Sequence, residues 1–244
     1  MTGKLIFLTS TVAPRTIKCS GSADERRKEY LKAIEFYLNN TNSNVLIVDN
    51  SGYDFSKDIK NNRFESLSYI GEEKDEIFGK GYCETKILIY GFAHSEFIKR
   101  ADQIVKITGR HIINNIRLLM AQARNVNCVY ADSDLKLTYP HSYVFIAPKV
   151  FFKDYLFANI GLMNDSRNMH FENVFGKCIK EYIKVHGTFA EFAFPIYIIG
   201  HPGGSKGQYA KPSIMRYIII FTKYMIVNLS QLIRCSRSYK SFII

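Results

Sequence analysis

The sequence predicts an α/β protein, a single Rossmann-type domain with a mostly parallel central sheet flanked by helices and followed by a helical C-terminal tail. The first observation is that short apolar runs, such as residues 5–8 and 44–49, alternate with longer amphipathic stretches such as residues 24–38. The second is that several of these runs end in polar loops, and open α/β sheets bind their ligands at the carboxyl ends of strands. A strand, a crossover helix and a second strand form a right-handed unit with parallel strands.

Length and composition allow one large domain. The chain has 244 residues, 47% hydrophobic and 23% charged, enough to bury a sizeable core. We assign residues 1–210 to this domain and residues 211–244 to the tail. The net charge of +11 favours anionic partners such as nucleotide phosphates, nucleic acid or an acidic membrane surface, although no nucleic-acid-binding motif occurs. Five scattered cysteines and no recognisable secretory signal favour a reducing, cytoplasmic location.

Polar residues follow the first two predicted strands. Thr9, Ser10 and Thr11 end the first strand and are candidate nucleotide contacts. Asp49 ends the second strand, where a carboxylate suits ribose hydroxyls or a base edge, and Asn50 follows it. For each of these residues an ordinary polar turn remains the alternative.

Two short signatures, GKGYCE at residues 79–84 and KITGRH at residues 106–111, combine glycine with a cation. The first opens a predicted helix over residues 81–99, and the second closes a predicted strand over residues 103–108. Glycine lets the backbone approach an anion, free N–H groups point at it, and the cation neutralises it. The candidate residues for binding a phosphorylated ligand are Lys80, Gly81, Glu84, Thr108 and Gly109. Lys106 and Arg110 are candidates for stabilising a leaving phosphate.

The second half of the chain holds candidate carboxylates and a candidate lid. Asp132 and Asp134 follow a predicted strand at residues 127–131, and two carboxylates so spaced suit Mg²⁺ or Mn²⁺. Glu172 opens a helix over residues 169–185 and is a candidate general base, with helix capping as the alternative. Lys206 lies in a glycine-rich loop that would close over a diphosphate.

The remaining predictions concern secondary structure and the tail. We predict a helix over residues 112–123 and a last strand over residues 194–199. Residues 215–233 form an apolar stretch interrupted by Arg216 and Lys223, typical of a helix lying in a membrane interface. The same stretch also suits a helix docked on the domain or on a second subunit.

Taken together, LTST after the first strand, VDNSGYD after the second, GKGYCE, KITGRH, FEN and GGSKGQY resemble a group of bacterial glycosyltransferases of surface-polysaccharide gene clusters. The resemblance covers residues 4–209, and His111 stands where that group is expected to have an aromatic residue such as Tyr. It implies a GT-A-like catalytic domain that uses a nucleotide sugar. It also implies that Thr9, Ser10, Asp49, Lys80, Lys106 and Arg110 line the donor site.

The predicted function is therefore transfer of a sugar from a nucleotide sugar to a hydroxyl of a surface glycan or lipid-linked acceptor, as in lipopolysaccharide or capsule synthesis. The expected location is the cytoplasm, at the inner face of the cytoplasmic membrane. Two other classes remain open. Basic loops beside Asp132 and Asp134 would also serve a nucleotidyltransferase or phosphatase, and the basic charge would also serve a polyanion-binding module.

Overall fold

The computed structural model describes residues 3–15, 21–134, 136–201 and 209–225. Seven strands form the main sheet in the order β3-β2-β1-β4-β7-β6-β8. Only β7 runs antiparallel to its neighbours in this sheet, so the predicted fold class is confirmed as mixed α/β with a mostly parallel sheet. The strands, including the separate pair β5 and β9, are β1 Lys4–Ser10, β2 Asn44–Asp49, β3 Phe64–Ser68, β4 Gln103–Thr108, β5 Ile112–Ile113, β6 Val129–Ala131, β7 Val144–Pro148, β8 Phe189–Glu191 and β9 Ile198–Ile199.

Helices flank the sheet. Ser22 and Glu25 form a capping box at the start of α1, which satisfies backbone N–H groups that a helix leaves unpaired. A π-helical segment, Phe151–Phe157, follows β7. The helices are α1 Ala23–Asn40, α2 Lys80–His94, α3 Glu96–Arg100, α4 Ile116–Gln122, α5 Phe171–His186 and α6, residues 214–225.

The strands are apolar on both faces because the sheet is covered on both sides. Along β1, Ile6 and Leu8 pack on one side with α1 and α4, whereas Leu5 and Phe7 pack on the other side with α2, α5 and the π-helical segment. This arrangement buries both faces of β1, β2 and β4. It leaves the carboxyl ends of the parallel strands, and the loops that follow them, along one edge.

Three predicted elements differ from the structure. The helix predicted over residues 81–99 is divided in two, because the Ser95 side chain accepts the Ile98 backbone N–H and caps a new helix. The helix predicted from residue 112 begins at Ile116, because Ile112 and Ile113 pair with Ile199 and Ile198. Of the last strand predicted over residues 194–199, only Ile198 and Ile199 form a strand, and they pair with β5 outside the main sheet. The main sheet instead ends with β8, Phe189–Glu191, which was not predicted. No helix in the described part of the chain is long and apolar enough to span a bilayer.

Candidate active site

A cleft of about 580 Å³ opens at the carboxyl ends of β1, β2 and β4. It lies where the strand order reverses, between β1 and β4, which is where open α/β sheets bind ligands. Eight of the predicted site residues line this cleft, although they come from four separate segments of the chain. They are Thr9, Ser10, Thr11, Asn50, Lys80, Glu84, Thr108 and Arg110.

The loop after β1 is held in place by α1. Arg26 Nε donates to the Thr11 carbonyl oxygen at 2.9 Å, and the Thr11 backbone N–H donates to Tyr30 Oη at 3.0 Å. Thr11 Oγ1 also donates to Asn50 Oδ1 at 2.6 Å, which ties the loop after β1 to the loop after β2. The hydroxyl and amide groups at this end of the cleft are therefore held in fixed positions.

The Asp49 carboxylate holds these two loops by accepting hydrogen bonds from both of them. It is fully buried, and both of its carboxylate oxygens are occupied. Ser10 Oγ and the Val12 N–H donate to Oδ2, and Ser51 and the Tyr53 N–H donate to Oδ1. Because the chain's own donors satisfy this carboxylate, its position favours shaping the cleft over contacting a ribose directly.

Arginines enter the cleft from three elements. Arg15 lies in the loop after β1, Arg26 on α1 and Arg110 in the loop after β4. Arg110 Nη1 lies 2.9 Å from Glu29 Oε2, so its guanidinium is oriented by a half-exposed partner. A guanidinium has five N–H donors, and one ion pair leaves others free for a phosphate.

The loop after β4 packs against β1 with no room for a side chain at Gly109. The Gly109 N–H donates to the Thr9 carbonyl oxygen at 3.0 Å. A Cβ at this position would lie 2.4 Å from that same oxygen and 3.0 Å from the Tyr30 ring. Gly109, predicted as a phosphate contact, therefore joins the end of β4 to the end of β1. This backbone hydrogen bond sets the positions of Thr108 and Arg110.

The N-terminus of α2 meets a carboxylate. Gly79 adopts φ +99°, which a glycine tolerates, and the Lys80 N–H donates to Asp165 Oδ2 at 3.0 Å. Asp165 also lies 3.0 Å from His170 Nδ1 and lines the cleft. Gly81, predicted as a donor contact, is buried against Phe171 and does not line the cleft. A carboxylate thus stands at the helix start where the sequence predicts a phosphate.

Lys106 is fully buried beneath the cleft. Its ammonium lies 5.9 Å from the centre of the Phe145 ring and 5.4 Å from that of Phe171. Lys106 Nζ donates to the Ser142 carbonyl oxygen at 2.7 Å and to Thr108 Oγ1 at 3.3 Å. An apolar strand tolerates this charge because its donors are satisfied. The burial places Lys106 behind the site, without direct access to a leaving phosphate.

Glu84 is the partner through which Lys106 acts on the cleft. Glu84 Oε1 lies 2.7 Å from Lys106 Nζ and accepts from Thr9 Oγ1 at 2.8 Å and from Thr108 Oγ1 at 3.5 Å. The carboxylate therefore binds α2 to the ends of β1 and β4. It lines the cleft, and the buried ammonium behind it provides the compensating charge.

Glu172 lies at the other end of the series of polar contacts that begins at Glu84 and runs through Lys106 and Ser142. Ser142 Oγ donates to Glu172 Oε1, while the Ser142 carbonyl accepts from Lys106. Burial raises the pKa of Tyr139, and the neighbouring Glu172 carboxylate raises it further. Glu172 does not line the cleft described above. It is connected to the cleft through Ser142, Lys106 and Glu84.

A second group of charges lies at the ends of β6 and β8. Asp132 directly follows β6, Glu191 ends β8, and the two strands are neighbours in parallel register. Lys223 on α6 reaches both carboxylates, with its Nζ 3.4 Å from Asp132 Oδ1 and 3.1 Å from Glu191 Oε2. Its ammonium also donates to the Ser133 carbonyl oxygen. Burial raises the pKa of Glu191 to about 7, although Lys223 opposes this shift.

Asp132 and Asp134 have different partners, which bears on the predicted metal site. The Thr138 side chain and the backbone N–H groups of Thr138 and Tyr139 donate to the exposed Asp134. Partial desolvation raises the pKa of Asp134, but these hydrogen bonds outweigh it and lower that pKa. Asp132 instead faces Lys223 and Tyr143. Among the residues described, no group of three or more His, Cys, Asp or Glu side chains is placed to hold a metal ion. As arranged here, the pair does not fit a shared divalent cation.

Sequence reasoning missed several charged residues at or near the site, among them Asp165, Arg15 and Glu191. Asp165 and Arg15 line the cleft, and Glu191 faces Asp132. Asp165 stands in a turn before α5 and carries no local signal, because its partner Lys80 is 85 residues away. The acidic end of β8 was detectable only with the correct strand boundary. Lys206, predicted as a lid residue, lies outside the described residues.

No protein-family model matches the chain, and no curated protein matches its sequence. Similar solved structures include a Desulfovibrio desulfuricans G20 protein assigned to the nucleotide-diphospho-sugar transferases. It is 11% identical with a TM-score of 0.43, over 78% of this chain and 80% of that one. The mannosyltransferase Ktr4p of S. cerevisiae is 8% identical, with a TM-score of 0.46 over 87% and 76% of the two chains. Its complex with GDP gives a TM-score of 0.43 at 8% identity, with the same coverage of 87% and 76%. At these identities and scores, none of these structures carries residue roles over to this chain.

Proposed function

We propose that the chain is a glycosyltransferase that takes a sugar from a nucleotide-sugar donor and transfers it to a hydroxyl group. The observation that carries the proposal is the convergence of hydroxyl, amide and arginine side chains in one cleft at the switch point of a parallel sheet. Four separate segments supply the predicted groups, namely the loops after β1, β2 and β4 and the first turns of α2. The volume of about 580 Å³ suits a small-molecule ligand.

In this proposal the nucleotide lies against the loops after β1 and β2, with Thr9, Thr11 and Asn50 as hydrogen-bonding groups. The acceptor oxygen forms a bond to the anomeric carbon as the bond from that carbon to the phosphate oxygen breaks. Negative charge then develops on the leaving phosphate, and a cation already held in place stabilises it without reorganisation. Arg110 supplies that cation, with Lys80 at the mouth of the cleft.

The buried charges have supporting roles in the proposal. Lys106 keeps Glu84 in position, and Glu84 fixes the Thr9 and Thr108 hydroxyls that face the donor. If the reaction inverts the anomeric centre, a general base takes the acceptor proton. Glu172, predicted for this role, does not line the cleft and is connected to it through Ser142 and Lys106. A retaining reaction needs no such base. Asp132 and Asp134 face different partners, so the proposal assigns them no shared cation.

The finer parts of the proposal concern the acceptor and the location. The acceptor is a surface glycan or lipid-linked oligosaccharide of the kind assembled in lipopolysaccharide and capsule synthesis. The enzyme works at the cytoplasmic face of the membrane, to which the basic segment 211–244 holds it. The resemblance of the GKGYCE and KITGRH segments to surface-polysaccharide glycosyltransferases supports this part.

The balance of charge in the cleft argues against a polyanion-binding module. A groove for a polyanion is lined mainly by cations. Here the lining holds five basic and five acidic side chains: Arg15, Arg26, Lys80, Lys86 and Arg110 against Glu72, Asp75, Glu76, Glu84 and Asp165. This mixture suits a ligand that has both phosphate and hydroxyl groups.

Ligand-induced stabilisation tests the proposal. Thermal unfolding is measured with UDP-, GDP- and CMP-sugars, each with and without Mn²⁺. A donor that binds the native state raises the midpoint in a concentration-dependent way. Arg110→Met removes a charge-assisted bond to phosphate and is expected to weaken binding of that donor about 10- to 100-fold.

Arg124→Met is the matched control, since Arg124 is an exposed residue after α4 and away from the cleft. It is expected to bind the donor as the unaltered protein does. Absence of stabilisation by every activated sugar would contradict the proposal. Stabilisation by nucleoside triphosphates alone would instead support a nucleotidyltransferase.

A further inference from the structure

Helix α6, residues 214–225, is attached to the body of the protein through its polar side. Lys223 is the main anchor, and its ammonium lies between Asp132 and Glu191 at the ends of two neighbouring strands. Arg216 stands two turns earlier on the same side of the helix. Burial raises the pKa of Tyr143, and the nearby charge of Arg216 opposes this shift without cancelling it. Glu191 is 2% exposed, and its Oε1 has no hydrogen-bond partner. A cation at this point therefore compensates a buried carboxylate.

The opposite side of α6 is apolar and faces outward. The exposed fractions are 82% for Ile214, 56% for Ile218, 52% for Phe221 and 44% for Met225. Residues 214, 218, 221 and 225 recur at the helical spacing of three and four, so they form one continuous stripe. The amphipathicity of α6 is thus reversed relative to a helix that covers a protein core.

Such a reversed helix requires a covering on its outer side. A contiguous exposed apolar stripe of this size on a water-soluble protein marks a surface for interaction. Because Lys223 holds the polar side to the protein, a simple rotation of the helix would bury the apolar side only by exposing the carboxylate pair without its counter-charge. The covering must therefore come from outside the described part of the chain.

The charge distribution identifies the covering. Glu191 is the last acidic residue of the chain, and seven Lys and Arg residues follow it. Lys211 and Arg216 are exposed beside the apolar stripe. Basic residues next to an apolar helical face bind an anionic lipid surface, through both burial of the apolar side chains and attraction to the headgroups. Two copies of this segment would bring like charges together, so a second copy fits less well.

We propose that α6 binds the surface of an anionic lipid bilayer, lying in the plane of the interface with its apolar stripe in the lipid and its Lys223 side on the protein. Twelve residues of helix span about 18 Å, too short to cross a hydrocarbon core of about 30 Å. The contact places the carboxyl ends of β6 and β8 next to the membrane. It goes beyond the proposed transferase activity by naming the lipid chemistry and the residues, and it stands whether or not the chain transfers a sugar.

Vesicle co-sedimentation of the full chain tests the proposal without any nucleotide sugar. Vesicles of phosphatidylcholine mixed with phosphatidylglycerol are compared with vesicles of phosphatidylcholine alone. The chain is expected to sediment with the anionic vesicles and only weakly with the neutral ones. The double variant Ile218→Asp, Phe221→Asp is expected to lower the partition coefficient at least about tenfold.

Val185→Asp is the matched control. Val185 is 71% exposed at the end of α5, so the substitution places one aspartate on an exposed apolar residue of another element and matches the single variant Ile218→Asp, which is measured beside the double variant. Val185→Asp is expected to sediment as the unaltered chain does. Unchanged thermal unfolding of all variants in the absence of vesicles verifies that the fold is intact.

Tryptophan fluorescence gives an independent measurement, because the chain has no tryptophan. Phe221→Trp introduces a single reporter on the apolar stripe, and its emission is expected to shift to shorter wavelength on addition of anionic vesicles. Val185→Trp is the control and is expected not to shift. A chain that stays in the supernatant with anionic vesicles, or a double variant that sediments fully, overturns the proposal. So does light scattering that shows a dimer which the double variant dissociates.

These results are separate from those of the donor-binding test. Donor binding without vesicle binding would overturn the lipid contact and leave the transferase proposal intact. Vesicle binding without stabilisation by any activated sugar would support the lipid contact and contradict the transferase proposal.

Discussion

The Lys106 ammonium lies behind the candidate cleft without lining it. It is buried against two aromatic rings, and its polar contacts reach the loop before β7, the end of β4 and α2. A lysine within an apolar strand is a visible anomaly in the sequence, and its ammonium pairs with Glu84, which lines the candidate cleft. The direction of the side chain was not predictable, because it depends on Glu84 and Ser142, which lie 22 and 36 residues away.

Lys106→Met is expected to lower the free energy of unfolding by about 2 kcal/mol, because it leaves the partly buried Glu84 carboxylate without its counter-charge. Adding Glu84→Gln to this variant should recover part of the loss. Urea unfolding followed by circular dichroism measures both. Lys99→Met, which removes an exposed pair with Glu96, serves as the control and should change stability by less than about 0.5 kcal/mol. Equal losses for the two lysines would contradict this interpretation.

His111 gives the protein a dependence on pH. Burial lowers its pKa to about 4, and its Nδ1 has no partner. In the unfolded chain the imidazole takes up a proton near pH 6.5, whereas the folded chain resists protonation until about pH 4. The unfolded state therefore binds more protons between these values. Stability is full above pH 6.5 and falls as the pH is lowered towards 4.

His111→Phe is expected to reduce this acid-induced loss by about 3 kcal/mol between pH 6.5 and pH 4, while keeping the aromatic contact with Tyr209. At pH 7 the two proteins should differ by less, since Phe loses only the hydrogen bond to the His201 carbonyl oxygen. Urea unfolding at a series of pH values measures the difference. His94→Phe, at an exposed position, should run parallel to the unaltered chain; a parallel profile for His111→Phe would contradict the assignment.

At the scale of elements, local sequence predicted what local interactions determine. The bounds of β2 and β4 were predicted to the residue, because each is an apolar run that ends in a polar loop. The failures occurred where pairing is remote. Ile112 and Ile113 have helical neighbours in sequence but pair with β9 more than 80 residues later. The end of β8 depends on β6, about 60 residues earlier.

The contact between β1 and the loop after β4 is the element-scale feature most open to test. Gly109→Ala would bring a methyl group against the Thr9 carbonyl oxygen, and neither backbone can yield without moving a central strand. We expect a loss of about 2 kcal/mol in unfolding free energy, the usual cost of overpacking, together with weaker donor binding. Thermal unfolding with and without the donor measures both effects.

Gly161→Ala is its control, since nothing lies within 4 Å of a Cβ at that position. The control should retain stability and donor binding. A Gly109→Ala protein as stable as the control would show that the loop after β4 can move away from β1.

At the scale of the whole molecule, the sequence predicted the layers and the edge at which the site lies, because those follow from the alternation of strands and helices. It could not predict which loops meet. Asp165 reaches the start of α2, and Lys223 reaches Asp132, only through the folding of the complete chain. The same limit explains why Asp132 and Asp134, neighbours in sequence, do not face a common point. Spacing fixes the distance between two residues along a strand, but it does not fix their partners.

The strand order also has a consequence during synthesis. The strands β3, β2, β1 and β4 are adjacent in the sheet and are complete once residue 108 has been made. The side chains of β4 are mostly apolar, and its outer backbone edge pairs with β7, which begins only at Val144. A nascent chain therefore presents an unpaired hydrophobic strand edge over the intervening synthesis, which is the period of greatest exposure to aggregation and to chaperones.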